Sequence, residues 1–283
     1  MTLQDLIITP FTDFAFMRRA LVASFALSLG AGPIGTFLIL RRMSLMGDAL
    51  SHAILPGAAI GFLLAGLSLP AMSLGGVLVG LAVALASGLV SRLTAEREDT
   101  SFAALYLLSL AVGVLIVSAW GSSVDLLQIL FGSVLAVDRA ALLLVASVSS
   151  VTLLALAVIY RPLIADCVDP GFLRAIGGQG GLWHSVFLVL VVLNLVAGFQ
   201  SLGTLMAVGL IILPAAAARF WGGSVIRLAV ASALIAFLSA IVGLLLSYHL
   251  DLPAGPSIIG VAGIVYIVSL AISGRRRARA LAA

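Results

Sequence analysis

The chain has 283 residues, 63% of them hydrophobic and only 9% charged, with a mean hydropathy of +1.28. No soluble domain can hide so much apolar side chain, so the composition excludes a water-soluble enzyme or binding module and indicates a polytopic membrane protein. The formal net charge of +4 comes from scattered arginines with no lysine at all. That excludes a GxxxxGK phosphate loop in this chain, and membrane orientation explains the charge better than nucleic-acid binding.

In chain order, the first expected helix is 16–40. Asp5 and Asp13 precede Arg18 and Arg19, and the apolar run that follows shows no clear small-residue cleavage site, so it reads as a retained helix rather than a signal peptide. The next segment, 45–66, holds Asp48 and His52. A carboxylate at the centre of a membrane helix costs about 2.5–3.5 kcal/mol to insert, so it demands a partner or a role. Positions i and i+4 share one helix face, which makes the pair a two-ligand comb for a divalent cation such as Zn(II), Mn(II) or Fe(II). Two donors do not close a site. In a symmetric dimer with this helix near the twofold axis, both copies would supply four. The competing reading is that Asp48 caps the helix near Arg41 and Arg42 and that His52 is a hydrogen-bonded packing residue.

Further expected helices are 71–93, 102–120 and 139–160, and the stretch 125–137, too short to span, reads as a short interfacial helix. Small residues in GAAIG (57–61) and GGVLVG (75–80) allow close helix approach. Residues 161–181 form the longest cytoplasmic connection. Within it Asp169 and Pro170 make a helix start, and Gly177 with Gly178 a stop. The lone Cys167 has no partner for a disulfide and reads as a bystander.

The remaining expected helices are 182–198, 203–220, 226–249 and 257–273. His184, beside Trp183, suits an anchor at the inner interface. Asn194 and Gln200 fit helix-to-helix hydrogen bonding or the lining of a pathway. His249 and Asp251 fall at the outer end of a helix, as a loop pair or an entrance. Alternation with the arginine-rich C-terminus inside places twelve arginines inside and three outside, with the N-terminus outside. The expected fold is thus all-α: one transmembrane domain over 1–283, a helix bundle of about eight to nine spans with a cytoplasmic C-terminus. Catalysis finds no support, since an aspartyl protease needs a second membrane aspartate and HExxH is absent.

Five blocks in order between residues 41 and 259 carry a resemblance: RRMSLMGDALSHAILPG, ILFGSVLAV, VDPGFLRAIG, FQSLGTLMAVGLIILPAAAARF and LDLPAGPSII. Together they closely resemble the membrane permease subunit of ABC importers for zinc, manganese and iron. The resemblance implies a homodimer in the bacterial inner membrane, surrounded by lipid and resting on separate ATPase subunits. An extracytoplasmic metal-binding protein would feed it from outside. It places Asp48 and His52 in the metal pathway and Asp169, Pro170 and Gly177 in the loop that couples to the ATPase. No permanently bound cofactor is implied, only a transported Zn, Mn or Fe ion, with FQSLGTLM leaning towards zinc. A self-sufficient secondary transporter or channel using the same ion site is the alternative.

Overall fold

The computed structural model describes residues 8–66, 68–94, 98–120, 137–175 and 177–282, and among these the regular structure is entirely helical. The helices are α1 (Thr9–Asp13), α2 (Ala15–Leu40), α3 (Ser44–Ala65), α4 (Leu69–Leu93), α5 (Glu98–Trp120), α6 (Arg139–Val168), α7 (Pro170–Ala175), α8 (Gly180–Leu202), α9 (Thr204–Arg219), α10 (Val225–Leu250) and α11 (Ala254–Ala282). The interfacial helix expected over 125–137, and with it the ILFGSVLAV block, falls outside the described residues except for Val137.

Every predicted span is present as a helix. Seven of them, α2, α3, α4, α6, α8, α10 and α11, are long and apolar enough to cross a bilayer. The apolar stretch of α5 (Thr100–Ile116) and the 16-residue α9 are shorter. At 1.5 Å per residue α9 reaches about 24 Å, less than the ~30 Å of hydrocarbon. The described residues therefore give seven full-length spans and two shorter apolar helices.

Two boundaries differ instructively from expectation. The helix from Arg139 does not stop at Tyr160 but runs 30 residues to Val168, so 161–168 are helical and the connection begins only at Asp169. Pro162 forfeits one backbone bond, yet the fully buried Leu163 and the paired Asp166 hold the added turns in place. Likewise α11 continues past Ser273 to Ala282, because nothing in GRRRARALA breaks a helix beyond its first glycine.

The interior is built from α2, α8 and α9, whose residues are mostly buried, while α11 lies at the periphery. Around α2 pack α10, α9, α6 and α8; α3 forms a tight group with α4 and α5; α8 touches both groups. The small-residue faces read from GAAIG and GGVLVG do meet. A Cβ built on Gly57 would fall 2.0 Å from the Gly75 carbonyl oxygen, and one on Gly75 2.1 Å from that of Gly57. Only glycine at both positions lets α3 and α4 cross backbone to backbone.

Candidate functional site

The turn that sets α3 in place is a Schellman motif. Met43 N–H donates to the Leu38 carbonyl (2.8 Å) and Arg42 N–H to that of Ile39 (3.1 Å), with Arg42 in the left-handed region at φ +60°. Leu38 and Met43, both buried, supply the apolar contact that accompanies such a turn. The chain reverses within three residues, and α3 starts at Ser44.

Asp48 is the fifth residue of α3, and the N-cap position belongs to Met43, which makes no side-chain cap bond. Asp48 is therefore not a cap. Its carboxylate is 65% exposed and the His52 ring 36%, with Nε2 and Oδ1 4.0 Å apart. That separation is too long for a hydrogen bond, so the two groups stand side by side rather than consuming each other. Leu45, Asp48, His52, Leu55 and Ala59 follow a 3-4-3-4 spacing along one stripe that α3 does not bury against its own chain. Met46, Leu50, Ala53, Ile54 and Gly57 on the other faces are buried. A carboxylate on such a stripe cannot face lipid cheaply, so the stripe fits a wet pathway or a second protein surface.

Pro56, within α3, has no N–H to return to the His52 carbonyl. The His52 backbone oxygen thus lacks its usual helical partner. Behind it α5 braces the helix, with Ser109 Oγ donating to the Ala53 carbonyl (3.0 Å). Each chain thus offers carboxylate and imidazole on one stripe, and among the described residues no group of three or more His, Cys, Asp or Glu forms a metal cage.

At the end of the bundle where α2 finishes, the structure makes a contact that sequence reasoning missed. The Arg41 guanidinium donates to Asp166 Oδ2 near the end of α6, meets His184 Nδ1 at the start of α8, and lies 5.3 Å from the Phe187 ring centroid. His184, expected as an interfacial anchor, is turned to this cluster. The Arg41 and Asp166 side chains keep only 7% and 14% of their exposure, so the pair is largely desolvated. Its partners are 125 residues apart in sequence, and no local spacing announces them.

Next to this knot the coupling candidates form one unit. Asp169 ends α6, α7 begins at Pro170 as expected, and Gly177 (φ +75°) turns the chain so that Gly178 N–H reaches the Leu173 carbonyl (2.8 Å). His249 and Asp251 sit together and exposed at the opposite end. His249 is edge-on to Tyr248, which packs against Phe14, and Asp251 adopts φ +51° as the C-cap of α10. Asn194 is buried and donates to Thr152 Oγ1 (2.7 Å) and the Leu190 carbonyl (2.8 Å), the helix-to-helix role rather than a pathway one.

Known proteins place this arrangement. The profile of the ABC 3 transport family matches residues 13–273. The manganese import system permease protein ScaB of Streptococcus parasanguinis is 33% identical over 274 residues, covering 95% of this chain and 96% of that one. The chelated iron transport system membrane protein YfeD of Yersinia pestis is 30% identical over 266 residues, covering 94% and 88%. Among solved structures, PsaBC from Streptococcus pneumoniae in complex with Fab superposes with a TM-score of 0.82 at 31% identity, over 95% of both chains. The resemblance carried by the five sequence blocks is thus borne out along nearly the whole length, and the chain belongs to the ABC 3 transport family as a multi-pass membrane permease.

Proposed function

We propose that the chain is the membrane-spanning subunit of an ATP-driven importer of a divalent metal ion, with manganese as the cargo. The carrying observation is the unburied stripe of α3, on which Asp48 and His52 present carboxylate and imidazole side by side. Two copies facing each other across a twofold axis supply four donors around one ion in a central path, and the incomplete half-site of each chain suits an ion that must also leave. The identity to a manganese permease over nearly the full length supports manganese, and a carboxylate-containing donor set accommodates it. Zinc, favoured by FQSLGTLM, and iron, the cargo named for the Yersinia pestis relative, are the competing cargoes.

In this reading the Arg41–Asp166 end faces the cytoplasm, and α7 with Asp169, Pro170 and Gly177 is the grip for a separate ATPase. His249 and Asp251 mark the outer end, where an extracytoplasmic metal-binding protein docks. Helix alternation from this end keeps the N-terminus outside and the C-terminus inside.

Reconstitution tests the proposal. The chain with its ATPase, the metal-binding protein outside and ATP on the cytoplasmic face accumulates manganese in liposomes, and unlabelled zinc or iron competes weakly. Equal accumulation by the chain alone, driven by a gradient, would instead support a self-sufficient transporter, and preferential zinc uptake would reassign the cargo.

A further inference from the structure

The helices α2, α6 and α10 enclose an apolar groove of about 470 Å³ that the transport reading does not use. Pro33 and Phe37 of α2 form its floor, Ala157 and Tyr160 of α6 one wall, and Ile226 and Val230 of α10 the other. Its deep end is closed where α2 and α10 touch: a Cβ on Gly32 would lie 2.6 Å from the Ala233 backbone nitrogen. From that contact the groove runs towards the end of the bundle that carries the Arg41–Asp166 pair, where Phe37 packs against both Tyr160 and Phe187. Along α10 the groove runs from Val225 to Ala233, about 12 Å at the helical rise.

Two exposed arginines lie just beyond the groove's lining at this end. Arg161 lies one turn beyond Ala157 on the same face of α6 and is exposed. Arg227 lies one turn before Val230, also exposed, and its side chain folds back over Gly223, towards the end of α10 and away from the hydrocarbon. Among the described residues neither is in an ion pair; the nearby carboxylate of Asp166 is taken by Arg41. The first turn of α10, capped by Ser224, adds partial positive charge at the same end. A neutral hydrocarbon would fill the groove and leave this positive rim unmatched.

We propose that the groove is a binding site for one anionic diacylphospholipid, an acyl chain lying on Pro33 and Phe37 and the headgroup phosphate held between Arg161 and Arg227. Such a lipid wedges α6 and α10 against α2 from the membrane side, and it does so whatever ion the permease carries.

The purified permease, assembled with its ATPase, is titrated in detergent with phosphatidylglycerol or phosphatidylcholine while thermal unfolding is followed, and retained lipid is identified by native mass spectrometry. Phosphatidylglycerol is expected to raise the unfolding temperature and to co-purify. Arg161→Gln with Arg227→Gln is expected to need about thirtyfold more of it, the scale of two lost surface arginine contacts. Arg139→Gln, which removes the same charge from the far end of α6, is expected to behave as wild type. Ala157→Phe, which fills the groove and leaves both arginines, is expected to abolish lipid retention. An unchanged phosphatidylglycerol response in the double variant, an equal response to phosphatidylcholine in the wild type, or full retention in Ala157→Phe overturns the proposal.

Discussion

Asp48 offers one carboxylate and His52 one imidazole, and neither is tied up in its own chain, since their nearest atoms are 4.0 Å apart. Removing either donor halves what each copy contributes. Asp48→Ala and His52→Ala are expected to bring metal uptake to background in cells or liposomes while the ATPase still co-purifies; wild-type uptake in both variants would remove them from the pathway. Arg42 poses a separate question of strain. It occupies the left-handed position of the α2–α3 turn, where glycine is the usual occupant and a side chain costs about 1–2 kcal/mol. Arg42→Gly is expected to raise unfolding stability by about 1 kcal/mol, less any loss from the removed charge, as read by thermal or denaturant unfolding in detergent.

Between helices, two contacts decide how the site is held. The Gly57–Gly75 crossing sets the position of α3, and a methyl group there would meet a carbonyl oxygen at about 2.0 Å. Gly57→Ala is expected to cost about 1–3 kcal/mol of stability by forcing α3 and α4 apart, and to lower uptake because the Asp48–His52 stripe moves with α3. The Arg41–Asp166 pair ties the end of α2 to the end of α6. Asp166→Leu alone leaves a desolvated guanidinium and is expected to destabilise by about 3–5 kcal/mol, while Arg41→Met with Asp166→Leu is expected to recover much of that loss. A double-mutant cycle on unfolding checks both statements. The helices themselves were legible in the sequence because each is an apolar run bounded by charges, prolines or glycines. Alternation of hydropathy with punctuation is a local signal, and so is the Asp169–Pro170 start of α7. Non-local pairs were not legible: Arg41 meets Asp166 and His184 only because three helix ends converge, and no spacing along the chain encodes that. The extension of α6 past Pro162 was missed for the same reason, since its added turns are held by tertiary contacts to Leu163 and Asp166 rather than by propensity.

At the scale of the whole molecule, the bundle has a packed interior of α2, α8 and α9 and a flank of α3 with α4 and α5 on which the candidate ion donors look outward. The motif GDALSH singled out the candidate donors, but not that their stripe would be left uncovered by the rest of the chain; that follows from how α4, α5 and α8 share the other faces of α3. The same asymmetry puts α7 beside the Arg41 knot and His249 with Asp251 at the far end, which suits an ATPase grip and an outer docking face on opposite sides. Charge reversal at the proposed grip, Asp169→Arg, is expected to weaken co-purification of the ATPase at least tenfold without changing metal binding to the permease; unchanged co-purification would count against α7 as the coupling element. In the proposed assembly two copies of one chain build a single ion site. Electron paramagnetic resonance of Mn(II) titrated into the purified permease counts the tightly bound ions directly. One ion per two chains, lost in both Asp48→Ala and His52→Ala, is the predicted result; one ion per chain, or binding untouched by both substitutions, would contradict it.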